Sequence, residues 1–325
     1  MGPKDWIYRQ YDQRVGLRTV RGAGADFGIL RLPDTGRALA VVTGCRPAVM
    51  RLDAHLGGQD AVLFPALQMA AKGFKAMAVT DCLNFGNPER VEVMSEFVAA
   101  VEGIAAASRI IDAPVISGNV SFYNETLGQN ITPTPATGLV GLRDNFENLP
   151  CDHFKSTGLA VYLWRCPMVQ AWARSAEVLG GNREWTGALN LERVQLFIDS
   201  VRELTLRAKP LATRVPGDGG LAQALMKMCR GRIGFKSHSE ALNHWDSDEF
   251  FREHFYEVLF VVEPAQRRDF ERLLQRANDE LYGWYDLIGY SQEDVFSLRF
   301  DQIFDLHKLL SRRESAWTTA FPELQ

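Results

Sequence analysis

The apolar positions of this chain switch repeatedly between a period of two and a period of three to four, and each switch marks a change of element. DFGILR at Asp26 to Arg31 and the apolar run Ala38 to Thr43 read as two strands joined by the turn PDTGR. In GGQDAVLFPALQMAAKG, Val62, Leu63, Ala66, Leu67 and Ala70 recur at helical spacing, predicting an amphipathic helix that stops at Gly73. Ala76 to Thr80 reads as a buried strand and Asp81 to Glu92 as a polar loop. Val93 to Ile111 reads as a helix with Phe97, Val98, Val101 and Ile104 turned inward, and Pro114 to Ile116 as the next strand.

A strand, a long helical crossover and a second strand imply parallel pairing, with both C-terminal ends on one edge of the sheet. That edge carries Asp81 and the pair Gly118-Asn119, and ligands of open α/β sheets sit outside such strand ends. The polar, irregular stretch RDNFENLPCDHFKS at 143–158 reads as a connection, dividing the chain into domains 1–150 and 151–325. The second domain opens with apolar Leu159 to Trp164. It continues with helices at Leu191 to Arg207 and Leu221 to Cys229, a strand at Val258 to Val262, a helix at Arg267 to Leu281, and a last helical stretch from about Phe300 to Leu310. The expected fold class is α/β (α+β) in two domains, the first carrying the candidate site.

Composition narrows the function. A hydrophobic fraction of 46% and a charged fraction of 23% are those of a globular chain, and a formal net charge of −4 supplies no basic field for nucleic acid. The five cysteines form no CxxC pair and the six histidines no HExxH spacing, which fits reduced thiols in a cytoplasmic protein and no zinc. No run approaches the ~18 apolar residues of a membrane span, so neither a membrane nor a nucleic acid is an expected partner.

Several polar residues cluster at the predicted edge. Asp81 could hold a nucleotide or cap the following turn. Gly118 permits close backbone approach to a ligand, and Asn119 offers a neutral carbonyl oxygen suited to Mg²⁺. Ser121 projects to the same side as Asn119 if the strand continues. SGN also has a plain reading as a strand-terminating turn. Asn84, Gly86, Asn87, Glu89 and Glu125 are secondary candidates, since Asn-Gly and Asn-Pro pairs are common turn chemistry. Cys82 reads as a small buried thiol with no base nearby. Asp218, before Gly219-Gly220, reads first as a helix cap and second as part of an anion site.

TDCLNFGNPE at 80–89, SGNVSFYNET at 117–126 and DGGLAQAL at 218–225, with the weaker WIYRQYDQRVGLRTV at 6–20, together resemble the C-terminal half of formylglycinamidine ribonucleotide synthase of the small, multi-subunit type. The resemblance covers nearly the whole chain and extends to the superfamily of aminoimidazole ribonucleotide synthetase, in which N-terminal domains pair into a shared barrel with ATP at the junction. It implies ATP contacts at Asp81 and Gly118, magnesium at Asn119 and substrate at Ser121. The implied reaction is ATP-dependent conversion of formylglycinamide ribonucleotide to the amidine, with a catalytic histidine on a first half not present here. Implied partners are that first half, or a second copy of this chain in its place, a glutaminase subunit and a small accessory subunit. The chain alone is then expected to be inactive.

Two departures stand out. Where the family has Asp-x-Asn-Pro, this chain has Gly44-Cys45-Arg46-Pro47; where it has His-Asp-x-Ser-Asp before DGGL, Arg214, Val215, Pro216 and Gly217 precede Asp218. These losses fall on groups that would serve this half's own nucleotide site. Two rivals remain: a homodimeric ATP-dependent enzyme of the same superfamily, and a non-catalytic scaffold.

Overall fold

The computed structural model describes residues 5–22, 24–166, 171–172 and 189–320. Six strands form the first sheet: β1 (Thr19–Arg21), β2 (Gly28–Leu32), β3 (Arg37–Gly44), β4 (Lys75–Asn84), β5 (Val115–Ser121) and β6 (Thr134–Arg143). Their order is β1-β2-β3-β6-β4-β5, antiparallel except that β4 and β5 run parallel at the edge, as the crossover requires. β4 continues to Asn84, so Asp81 lies within a strand and not in the expected loop. The turn-capping reading of Asp81 is thereby removed.

Helix α1 (Ala54–Ala70) packs against β3, β4 and β6 on one side and against helices α2 (Val91–Ile110) and α3 (Leu191–Ala208) on the other. It is therefore buried nearly all round, Gln59 and Asp60 included, and not amphipathic as its spacing suggested. Asp53 caps its start, accepting from the Leu56 N–H at 2.7 Å. Pro65 inside this helix has no N–H for the Ala61 carbonyl, and the Thr137 hydroxyl of β6 donates to that carbonyl instead. In α2 the buried face is Val93, Ala100, Gly103, Ile104 and Ala107; Val98 and Val101 face outward, contrary to expectation.

The second sheet has seven strands: β7 (Ala160–Arg165), β8 (Ala212–Arg214), β9 (Ile233–Ser237), β10 (Glu257–Val262), β11 (Trp284–Glu293), β12 (Val295–Arg299) and β13 (Gln302–Asp305). Their order is β8-β10-β7-β11-β9-β12-β13. Helices α4 (Gly220–Met228), α5 (Arg267–Leu281) and α6 (Leu306–Glu314) complete this part. The helical stretch expected over 300–310 is instead β13 followed by α6, whose start Asp305 caps by accepting from the Lys308 N–H at 2.9 Å. One face of β7 and β10, with Tyr162, Trp164, Val258 and Phe260, joins the same hydrophobic core as α1 and the first sheet; the opposite face builds a second core with α4.

Polar links stitch the two parts at depth. Lys72, past the end of α1, donates to the carbonyls of Thr213 at 2.7 Å and Cys151 at 2.9 Å, and pairs with Asp152 at 2.6 Å. Arg46 is buried against Asp60, with Nε donating at 2.7 Å, and reaches Glu253 of the second part at 3.4 Å. The Tyr256 hydroxyl donates to the same Asp60 carboxylate at 3.0 Å. Burial alone would pull the Arg46 guanidinium down, but Asp60 and Glu253 outweigh it and hold it above its ordinary value. No described helix is long and apolar enough to cross a membrane, and all five cysteines are free.

Candidate functional site

The β4–β5 register sets the site. Asp81 lies opposite Gly118, Cys82 opposite Asn119, and Asn84 opposite Ser121. A Cβ on Gly118 would stand 2.1 Å from Asp81 Oδ1, so the carboxylate lies directly over the glycine and any side chain there would displace it. Partial burial raises the Asp81 pKa, while the Asn119 backbone N–H, donating to that carboxylate, works the other way. Because β5 remains a strand through Ser121, Asn119 and Ser121 project to one side. Gly118 and Asn119 are exposed on this edge.

The two loops after β4 and β5 are bonded to each other. The Phe85 N–H donates to the Ser121 carbonyl at 2.9 Å and the Tyr123 N–H to the Gly86 carbonyl at 2.9 Å. Asn124, which sequence reasoning did not single out, closes the arrangement: its Nδ2 donates to the carbonyls of Phe85 and Ser121, both at 2.9 Å, and lies 3.1 Å from Ser121 Oγ. Its only signal was its place inside the second motif.

The secondary candidates are engaged in loop structure. Asn84 Nδ2 donates to the carbonyls of Cys82 and Thr134 at 2.8 and 3.2 Å. Asn87 Oδ1 accepts from the Glu89 N–H at 2.9 Å, an Asx turn, while Gly86 abuts the Asn130 side chain. Glu89 receives the Tyr123 hydroxyl at 3.5 Å, and Glu125 lies 3.8 Å from Arg90. Cys82 is exposed, not buried, because the strand alternation turns it away from the core.

Asp218 stands apart from this edge, and it is not the helix cap. The N-cap of α4 is Gly219 in the left-handed conformation, with no side-chain cap bond, and its N–H donates to Glu253 Oε1 at 3.3 Å. Asp218 lines a cleft of about 220 Å³ with Gly44, Cys45, Arg46, Arg214 and Val215. At position 44 an added Cβ would stand 2.3 Å from the Ala61 carbonyl oxygen, so there is no room for a ligating side chain. Arg214 is paired with Asp26 at 2.7 Å, Val215 is buried, and burial pushes the Cys45 thiol up to about 12. Cations and packing occupy the two departures from the family pattern. Among the described residues no group of three or more His, Cys, Asp or Glu is placed to hold a metal ion.

The chain is similar to known proteins in sequence and in fold. Residues 24–143 match the family described as AIR synthase related protein, N-terminal domain. The phosphoribosylformylglycinamidine synthase subunit PurL of Nitratiruptor sp. is 34% identical over 289 residues, 83% of this chain and 37% of that protein. PurL of Methanosarcina mazei is 35% identical over 274 residues, 81% of this chain and 36% of its own length. The chain thus spans little more than a third of these relatives. Among solved structures, Thermotoga maritima PurL complexed with ATP has a TM-score of 0.58 at 18% identity, covering 89% of this chain and 40% of that one. Thiamine-monophosphate kinase from Stenotrophomonas maltophilia has a TM-score of 0.57 at 16% identity, covering 88% and 92%. At such identities these two likenesses concern the fold alone.

Proposed function

This chain is a PurL relative built on an AIR synthase-related domain, and from that premise we propose that it supplies the second-half share of a divided formylglycinamidine ribonucleotide synthase site. The observation that carries the reading is the Asp81 carboxylate lying over Gly118 with Asn119 alongside, on an exposed parallel-strand edge. In this reading residues 1–150 hold that edge and 151–325 form the second domain. Asp81 and the Gly118 backbone hold ATP, Asn119 holds Mg²⁺, and Ser121, oriented by Asn124, holds the ribonucleotide.

The single amide oxygen of Asn119 is too little to hold Mg²⁺ alone, but it fits a cation that takes its other ligands from phosphates and water. The ion would neutralise charge developing on the transferred phosphoryl group. What this chain contributes is position: the Asn119 N–H fixes the Asp81 carboxylate, and the missing side chain at 118 leaves that carboxylate its place over the strand.

The outer edge supports a divided site. Val115, Ile116 and Val120 of β5 are 44, 68 and 47% exposed, an unpaired apolar edge of the kind proteins cover by association. A homologous first half, carrying the catalytic histidine, is the proposed partner, with a glutaminase and a small accessory subunit delivering ammonia. The chain by itself should show no turnover with formylglycinamide ribonucleotide, ATP and ammonia, whereas a first-half partner should form a heterodimer by light scattering and restore activity. Turnover by the purified chain alone would refute the divided site.

Gly118→Ala offers a second check. The new methyl must push the Asp81 carboxylate aside, so ATP affinity of the reconstituted complex should fall about tenfold, ~1.4 kcal/mol, with circular dichroism unchanged. Calorimetry showing the parent affinity would remove Asp81 from the ATP contacts.

A further inference from the structure

A second cleft, of about 370 Å³, opens between the start of the first sheet and the second part of the chain, lined in part by Arg21, Asp152, His153, Arg214, Lys227 and Arg230. Four of these six are permanent or near-permanent cations, and Lys72 lies buried just behind them. Asp152, the one carboxylate lining the cleft among the described residues, is already held by Lys72 at 2.6 Å and Arg21 at 3.2 Å. Arg214 is answered by Asp26 at 2.7 Å and by the Asp152 carbonyl at 3.0 Å, yet its Nε is buried without a hydrogen-bond partner. Neither Lys227 nor Arg230 has a carboxylate of the described residues within ion-pair distance; Arg230 Nη1 lies 3.4 Å from His153 Nε2.

Counting the buried Lys72, five cations are gathered here against three carboxylates, Asp26, Asp152 and Asp218, and crowding of this kind is costly unless an anion relieves it. It registers at Lys227, whose pKa is lowered by burial and then by Arg214, with Arg313 adding to the effect and Asp26 and Asp218 opposing it. The bland reading is that Lys227 and Arg230 complement the C-terminal end of α4. That accounts for these two but not for Arg21 and Arg214, which come from other elements and converge on the same space.

We propose that this cleft is a binding site for a small phosphomonoester of about pentose-phosphate size, Lys227 and Arg230 closing on the phosphate over a floor of Arg21 and Arg214. The described lining has no Phe, Tyr or Trp on which a nucleobase would stack, which favours a sugar phosphate over a nucleotide. None of these residues belongs to the β4–β5 edge, so the proposal stands independently of the function above.

The test is calorimetry of the full chain at low salt with ribose 5-phosphate, inorganic phosphate and ribose. Ribose 5-phosphate should bind saturably, phosphate more weakly and ribose not at all. Arg230→Gln, at the exposed rim where folding is not at risk, and Lys227→Met should each lower the affinity about tenfold. Asp81→Asn should leave it unchanged. Absence of saturable ribose 5-phosphate binding, affinity unaltered by both cleft substitutions, or no gain of the sugar phosphate over inorganic phosphate would each overturn the proposal.

Discussion

Arg46→Met is expected to cost the folded chain about 3–5 kcal/mol, because it strips the buried Asp60 carboxylate of its bonded guanidinium and removes the link to Glu253. The guanidinium sits between the Phe64 and Phe255 rings, 4.3 and 4.9 Å from their centroids, so packing and cation–π contact are lost with the charge. Urea denaturation at neutral pH gives the measurement. Removing Asp60 as well, in Arg46→Met with Asp60→Asn, should recover part of the loss, since one stranded carboxylate is neutralised. Arg272→Gln, which breaks an exposed pair with Asp269, should change stability by no more than about 1 kcal/mol. Equal costs for Arg46→Met and Arg272→Gln would show that the buried network does not hold the two parts together. A large cost would also explain how a chain without acidic groups at positions 44 and 215 keeps its fold: an internal cation and its carboxylates stand in that space.

Asn119→Ala, in the complex reconstituted with a first-half partner, should lower turnover about tenfold or more, roughly 1.4 kcal/mol of transition-state stabilisation, with partial rescue by higher magnesium. Asp81→Asn should act mainly on the KM for ATP, because the charge over Gly118 contacts the bound nucleotide before and during the reaction alike. Asp218→Ala should leave turnover unaltered and should cost less than a lost helix cap, since Gly219 and not Asp218 occupies the cap position. If Asn119→Ala and Asp81→Asn both leave turnover and apparent ATP affinity at parent values, the two motifs are structural relics and the scaffold reading takes precedence.

The sequence alone determined which strands are neighbours at the site. A helix-period run between two apolar strands implies parallel pairing with both C-terminal ends on one edge, while the register that sets Asp81 level with Gly118 came from the structure. The sequence also revealed the helices at 191–208 and 267–281, whose single apolar faces are strongly periodic. Tertiary structure decided what local pattern does not encode. Strand β6 turns Pro135, Thr137, Leu139, Gly141 and Arg143 toward the core, only one of them a large aliphatic residue, so its alternation was invisible. Helix α1 was misread as amphipathic because Asp60 is polar in sequence yet buried in the fold, its charge answered by Arg46 and its carboxylate bonded by Tyr256 from 196 residues away. The same limit applies to Asp218 and to the cationic cleft. Whether an acid caps a helix, or basic residues of β1, β8 and the end of α4 face one space, depends on backbone conformation and on long-range approach, and neither is written in the spacing of neighbouring residues.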